Sequence, residues 1–287
     1  MWIKNKIDEI LREIMINGTL DNMREMFVNT QSSTDGLISL IMQGPESYEG
    51  GAMWLVVEEA ANVMTPIAAL ILTAVMCIEL ISVIEKRNNM HTSSDVVWFI
   101  FFIIIKMGIG AVLVEKSPTI TAAVFQLGNY AVSQLSLSDA ASPLIFDAAA
   151  FRTTLEAKDT GYLLGVFFSS MVGKISVYII AVLIWLIVVG RMFKMCVYCS
   201  MGAIPYATLT QKDISDIGKN FIKNLFALAF QGFFMCIIVA MYISLSRNIV
   251  ISSDPNQAIL GLLKNTGVFV FALFGSGAMA KSIFNAH

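Results

Sequence analysis

From Gly161 to Val189 the chain reads GYLLGVFFSSMVGKISVYIIAVLIWLIVV, with Lys174 its only charged side chain. A bilayer core about 30 Å thick is crossed by roughly 20 apolar residues rising 1.5 Å each, so this segment spans one with turns to spare. In water the same helix would expose apolar side chains on every face. The chain is therefore expected to be solvated largely by lipid. Its composition agrees: of 287 residues, 56% are hydrophobic and only 14% charged, where soluble domains carry about 25% charged residues. The formal net charge of −2 argues against tight sequence-specific DNA binding, which draws most of its affinity from neutralised phosphates.

Four further segments share this character: Ala60 to Ile84, Val96 to Val114 (interrupted only by Lys106), Phe221 to Leu245 and Ala258 to Ile283. Two others are ambiguous. Thr119 to Leu137 is apolar but studded with polar residues and begins beside Pro118, which suggests an interfacial or re-entrant helix, with a true span as the alternative. Met192 to Leu209 holds Gly202 and Pro205, which interrupt helical hydrogen bonding and favour a hairpin or re-entrant turn. The expected fold is all-α: a polytopic integral membrane protein with five transmembrane helices and up to seven, preceded by an amphipathic helix.

That first helix covers Met1 to Phe27, where Ile3, Ile7, Ile10, Leu11 and Ile14 recur at helical spacing among charged residues. It could lie on the membrane, pack on another subunit or fold back on its own chain. A turn-rich linker follows, ending in Gln43-Gly-Pro-Glu and Tyr48-Glu-Gly-Gly. The expected organisation is thus a helix and linker at 1–50 and a transmembrane domain at 51–287. The N-terminal residues lack the compact apolar run of a signal peptide, so insertion is expected to rely on the spans.

Basic residues concentrate in the loops 85–95 and 191–223 and at the C-terminus (Lys86, Arg87, Arg191, Lys194, Lys212, Lys219, Lys223 and Lys281). The opposite side holds Lys116, Arg152, Lys158 and Arg247. Cytoplasmic loops collect Lys and Arg, which places the N-terminus outside and the C-terminus inside a cytoplasmic membrane.

Three charges fall well inside the spans: Glu79, Lys106 and Lys174. A charge at mid-bilayer is costly, so each needs a partner or water. Glu79 and Lys106 sit at similar depth and would pair if their helices are neighbours. The alternatives are a water-accessible pathway, a structural ion pair, or lysines reaching for the interface; Lys264, nearer a helix end, belongs to the last kind. Gly161, Gly165, Ser169 and Gly173 stand four apart on one helix face, a spacing that lets two helix backbones approach closely, within the chain or between subunits.

No catalytic pattern is present: no G-x-x-x-x-G-K loop, no G-x-S-x-G and no H-E-x-x-H. The histidines are His91 and His287 alone, and Cys196-x-x-Cys199 has no second pair to complete a zinc site. All four cysteines, Cys77 and Cys236 included, are expected to be small apolar packing residues. No cofactor or metal is expected, and the chain is not expected to be an enzyme.

The run Met201-Gly-Ala-Ile-Pro-Tyr-Ala-Thr-Leu209, followed by Ile217-Gly-Lys-Asn-Phe-Ile-Lys-Asn-Leu-Phe-Ala-Leu-Ala-Phe-Gln-Gly232 and an apolar span, resembles the TrbL-like polytopic subunit of conjugative type IV secretion systems, in its Gram-positive mobile-element form. The matching features are the turn with Gly202 and Pro205, the basic helix with Gly218, Lys219 and Lys223, and the Gln231-Gly232 step, and the likeness is sharpest over about 190–245. The resemblance implies a non-enzymatic membrane subunit at or near the conduit for DNA and protein transfer. It also implies homo-oligomers, partnership with other apparatus membrane proteins and separate ATPases, and at most transient contact with single-stranded DNA. Many relatives continue into a long hydrophilic tail where this sequence ends soon after its last span, so a docking role for such a tail is not carried over. The basic inner helix suits lipid headgroups or protein better than DNA. Two rival functions stand beside this one: a small-solute transporter or channel using Glu79, Lys106 and Lys174, and a non-conducting assembly factor.

Overall fold

The computed structural model describes residues 2–86, 93–135, 146–247 and 254–286. Arg87, His91 and His287 lie outside the described residues, as does the stretch 136–145 within the long loop expected at 115–160. Among the described residues there is no strand, and nine helices follow in order: α1 Trp2–Met42, α2 Ala52–Lys86, α3 Ser93–Glu115, α4 Ser117–Ser133, α5 Ala148–Glu156, α6 Thr160–Met201, α7 Ala203–Thr208, α8 Ser215–Arg247 and α9 Pro255–Ile283. Five of them, α2, α3, α6, α8 and α9, are long and apolar enough to cross a membrane. The all-α fold with five spanning helices read from the sequence therefore holds.

The helix ends follow local chemistry. Asp147 caps α5, its carboxylate accepting from the Ala149 and Ala150 amides at 3.1 and 3.0 Å. Asp254 does the same for α9, accepting from Asn256 at 3.1 Å, while Pro255 fills a first-turn position whose missing N–H costs nothing. Gly50 and Gly51, with φ of 65° and 87°, close the turn before α2 in a conformation that suits glycine.

Two expected boundaries move. Helix α1 does not stop at Phe27 but runs to Met42. Its second half, with Thr30, Ser32, Thr34 and Gly36, has weak helix propensity. Thr30, Leu37 and Ile41 are nevertheless buried, and such packing overrides propensity. Likewise the turn expected from Met192 begins only at Gly202, because Met192, Met195, Cys196 and Cys199 are buried and carry α6 on to Met201.

The chain divides into two compact units, each assembled from three separate stretches. Unit 1 takes Met1–Ile41, Gln134–Val189 and Phe234–Ser276. Its core joins Met15, Met23, Met26 and Phe27 of α1 to Leu155 of α5, Leu163 and Val166 of α6, and Ile259 and Leu262 of α9. Tyr242 of α8 stacks on Phe269 of α9 at 4.3 Å between ring centroids, and its hydroxyl bonds Thr266 at 2.9 Å, which gives both buried hydroxyls a partner.

Unit 2 takes Met42–Ser133, Gly190–Phe233 and Gly277–His287. Ala68, Leu72, Val75 and Met76 of α2 pack with Ile103 and Val114 of α3 and with Ala203 and Ala207 of α7. Only 17% of the apolar window of α3 is buried, against 61% for α8. Phe99, Phe101, Phe102, Ile104 and Ile105 of α3 face outward, a surface that requires lipid or another chain to cover it.

Candidate functional site

The charges inside the spans fall into two separate pairs. In unit 2, Lys106 of α3 donates to the Glu79 Oε1 of α2 at 3.0 Å. In unit 1, Lys174 of α6 meets the Glu25 Oε2 of α1 at 2.6 Å, and the Tyr178 hydroxyl donates to the same oxygen at 3.3 Å. The hydrogen bond from Lys174 holds the Glu25 carboxyl below the usual carboxylate range. One turn back, Asn22 bonds Ser170 at 3.1 Å. Lys264 is exposed. Sequence reasoning named Lys174 but missed its partner: Glu25 sits on a helix whose polar surface looked peripheral, and only the three-dimensional register of α1 on α6 exposes the pairing.

Each pair is arranged to lower the cost of placing charge in lipid. Replacing Glu79 alone by glutamine, or Lys106 alone by methionine, is expected to lower the amount of stably inserted protein. An unpaired lysine at mid-span costs about 2.5–3.5 kcal/mol on insertion scales. The double variant Glu79→Gln with Lys106→Met is expected to recover, read as membrane-inserted protein resistant to protease. If the pair were a transport site, the double variant would insert normally yet remain inactive in the cell.

The small-residue stripe on α6 splits. Gly161, Gly165 and Ser169 are exposed, and a Cβ on Gly165 would meet nothing within 4 Å. Gly173 is buried instead, and a Cβ there would lie 3.0 Å from the Met26 methyl and 3.2 Å from Ile259. One end of the stripe thus faces away from its unit and the other accommodates α1 and α9.

The turn-and-span residues all lie in unit 2. A Cβ on Gly202 would lie 3.0 Å from the Thr121 hydroxyl of α4, which itself bonds the Tyr206 hydroxyl at 3.2 Å. Burial raises the Tyr206 phenol above its ordinary value. A Cβ on Gly218 would lie 2.6 Å from the Pro205 carbonyl oxygen, so glycine lets α8 begin directly against α7. Lys219 pairs with Asp216 at 3.3 Å, and both it and Lys223 are exposed. Gln231 is buried, with its amide beside Gly277.

Gly232 leads to a residue that sequence reasoning misplaced. Arg191 was expected in a basic cytoplasmic loop; it lies within α6 and is 2% exposed. Its Nε donates to the Leu228 carbonyl and its Nη2 to the Ala229 carbonyl, both at 3.3 Å. A Cβ on Gly232 would lie 2.6 Å from that Nη2. Nothing in a single sequence links an arginine to a glycine 41 positions away. The cysteines also divide: Cys196, Cys199 and Cys236 are buried, but Cys77 is exposed rather than packed, because it lies on an outward face of α2. Among the described residues no group of three or more His, Cys, Asp or Glu side chains could hold a metal ion.

Compared with known proteins, the chain matches a family model described as TrbL/VirB6 plasmid conjugal transfer like protein over residues 28–203, more than half its length. That range includes Glu79, Lys106, Lys174, Arg191 and Gly202, and ends before Pro205 and the basic helix that carried much of the resemblance. No curated protein and no solved structure matches it.

Proposed function

We infer the function from membership: the chain belongs to the TrbL/VirB6 plasmid conjugal transfer family and is a multi-pass membrane component of a conjugative transfer system. Within that system it acts as a channel and scaffold subunit, contributing to the conduit through which DNA and protein cross the cell membrane. It does no catalysis of its own; ATP-driven steps belong to separate ATPases of the apparatus. It assembles as a homo-oligomer beside other membrane proteins of the machine, and single-stranded DNA passes it only transiently. Residues 51–287 form the membrane domain, with the N-terminus outside and the C-terminus inside.

The observation that carries this reading is the family match across 28–203. The geometry supports it against the transporter reading. Glu79, Lys106 and Lys174 are each engaged by an opposite charge. The exposed apolar faces of α2 and α3 suit a subunit that is covered by lipid and by neighbours.

The test is made in cells carrying the transfer system. Removing the chain is expected to abolish transfer, and restoring it to recover transfer. Cysteines placed at the exposed Gly165 and Ser169 are then crosslinked during transfer. Capture of the moving strand supports a conduit. Loss of transfer without capture from any position would replace the conduit with an assembly role, and solute flux by the purified chain alone would replace both.

A further inference from the structure

Among the described residues the first turns of α1 have no partner. Every described side chain from Trp2 to Leu11 is exposed, and Ile14 beyond them is exposed as well. Helix α1 runs beside α6 in the same direction: Gly18 packs on Phe167, Asn22 bonds Ser170 and Glu25 meets Lys174. Arg12 reaches the Glu156 carbonyl, just ahead of the start of α6. Residues 2–11 therefore project about 15 Å past the start of α6 at 1.5 Å per residue.

Held along α6 in this way, the arm continues the axis of α1 rather than folding back across the end of α6. Its charges, Lys6, Asp8, Glu9, Arg12 and Glu13, keep it out of hydrocarbon. In water a free-standing helix of ten residues is marginal, and among the described residues nothing covers its isoleucines.

The spacing of those isoleucines says what fits them. Ile3, Ile7, Ile10 and Ile14 follow the 4-3-4 rhythm of alternating d and a positions in two heptads. Leu11 falls at e, while Lys6 and Glu13 fall at g. In a parallel assembly of identical helices Lys6 would face Leu11 and Glu13 would face Gly18, so no like charges oppose. Isoleucine at both a and d favours bundles of more than two strands. We propose that the α1 arms of neighbouring copies of this chain join in a parallel coiled-coil bundle through Ile3, Ile7, Ile10 and Ile14, standing off the membrane beyond the start of α6. Two heptads alone would be weak, but copies confined to one membrane meet at high effective concentration. The proposal rests on the homo-oligomer reading above and gives it a contact surface; the arm itself lies outside the residues matched by the family.

The test uses the full chain in membranes, with single cysteines introduced at Ile7, Ile10, Asn5 and Glu9, and with the unaltered chain as baseline. Under a mild oxidant, Ile7→Cys and Ile10→Cys are expected to give at least about fivefold more disulfide-linked dimer than the outward-facing Asn5→Cys and Glu9→Cys. The double variant Ile7→Asp with Ile10→Asp should lower the native mass, and Ile7→Leu with Ile10→Leu should keep it. Misfolding does not confound these variants, because residues 7 and 10 are exposed in their own chain. Equal crosslinking at all four positions, none above baseline, or protection of the arm by lipid would each overturn the bundle. If the native mass then stays oligomeric, only the bundle falls; if the chain is monomeric, the homo-oligomer reading falls with it.

Discussion

Replacing Gly128 by valine is expected to leave little folded protein. Gly128 sits on the buried face of α4, and a Cβ there would lie 2.4 Å from the Ala229 carbonyl oxygen, 2.8 Å from its carbon and 3.4 Å from its Cα. All three obstacles are backbone atoms in the middle of α8. A flexible neighbour could rotate aside; a helix backbone cannot. The two helices must separate, which forfeits the packing of Phe125 and Val132, both buried on the same face. Overpacking a core typically costs about 1–3 kcal/mol, and more where only backbone can yield. Alanine at Gly128 should therefore destabilise measurably, and valine, bulkier and β-branched, should destabilise further. Thermal unfolding in detergent and protease sensitivity of α4 give the readout. Gly108→Ala supplies the control, since nothing lies within 4 Å of a Cβ there. A Gly128→Val protein as stable as the parent would mean that α4 does not dock on α8.

The close approach of Gly128 to Ala229 has no signature in the sequence. The five spanning helices were legible because each is a long apolar run, and length against bilayer thickness is one-dimensional information. The resemblance to a conjugative membrane subunit was legible as well, from glycine, proline and apolar patterning. What stayed hidden was pairing. Glu25 lies 149 positions from Lys174, and the register that joins them comes from Gly18 packing on Phe167 and Gly173 on Met26, neither of which has a sequence signature. Helix α1 ran past its expected end for a related reason: Leu37 and Ile41 are buried, so tertiary contact decides a boundary that propensity leaves open. The pattern Ile3, Ile7, Ile10, Ile14 is legible in the sequence as an apolar face, and the structure leaves Ile3, Ile7, Ile10 and Ile14 exposed on α1.

Arg191 offers the second large effect, and a series of substitutions separates its packing from its charge. The side chain is among the largest that are fully buried, and its guanidinium bridges the carbonyls of Leu228 and Ala229. Truncation to alanine removes that volume from a packed helix junction, and deleting a large buried side chain typically costs about 3–5 kcal/mol. Arg191→Ala is accordingly expected to lose most of its folded population in detergent. Methionine retains a long stem without the charge. The two carbonyls lie inside α8, where helical amides serve them, so losing the arginine does not orphan them. Replacing a buried charge by an apolar side chain of similar length is often close to neutral, and Arg191→Met should recover much of the stability. Gly232 sharpens the comparison, because its Cβ would collide with the guanidinium at 2.6 Å. Gly232→Ala should destabilise the parent chain yet cost little in the Arg191→Met background, a coupling of about 0.5–3 kcal/mol in a double-mutant cycle. Additive effects of the two substitutions would mean that the guanidinium does not rest against Gly232. Arg191→Met as damaging as Arg191→Ala would mean that the positive charge, and not the filled volume, is what this junction of α6 and α8 requires.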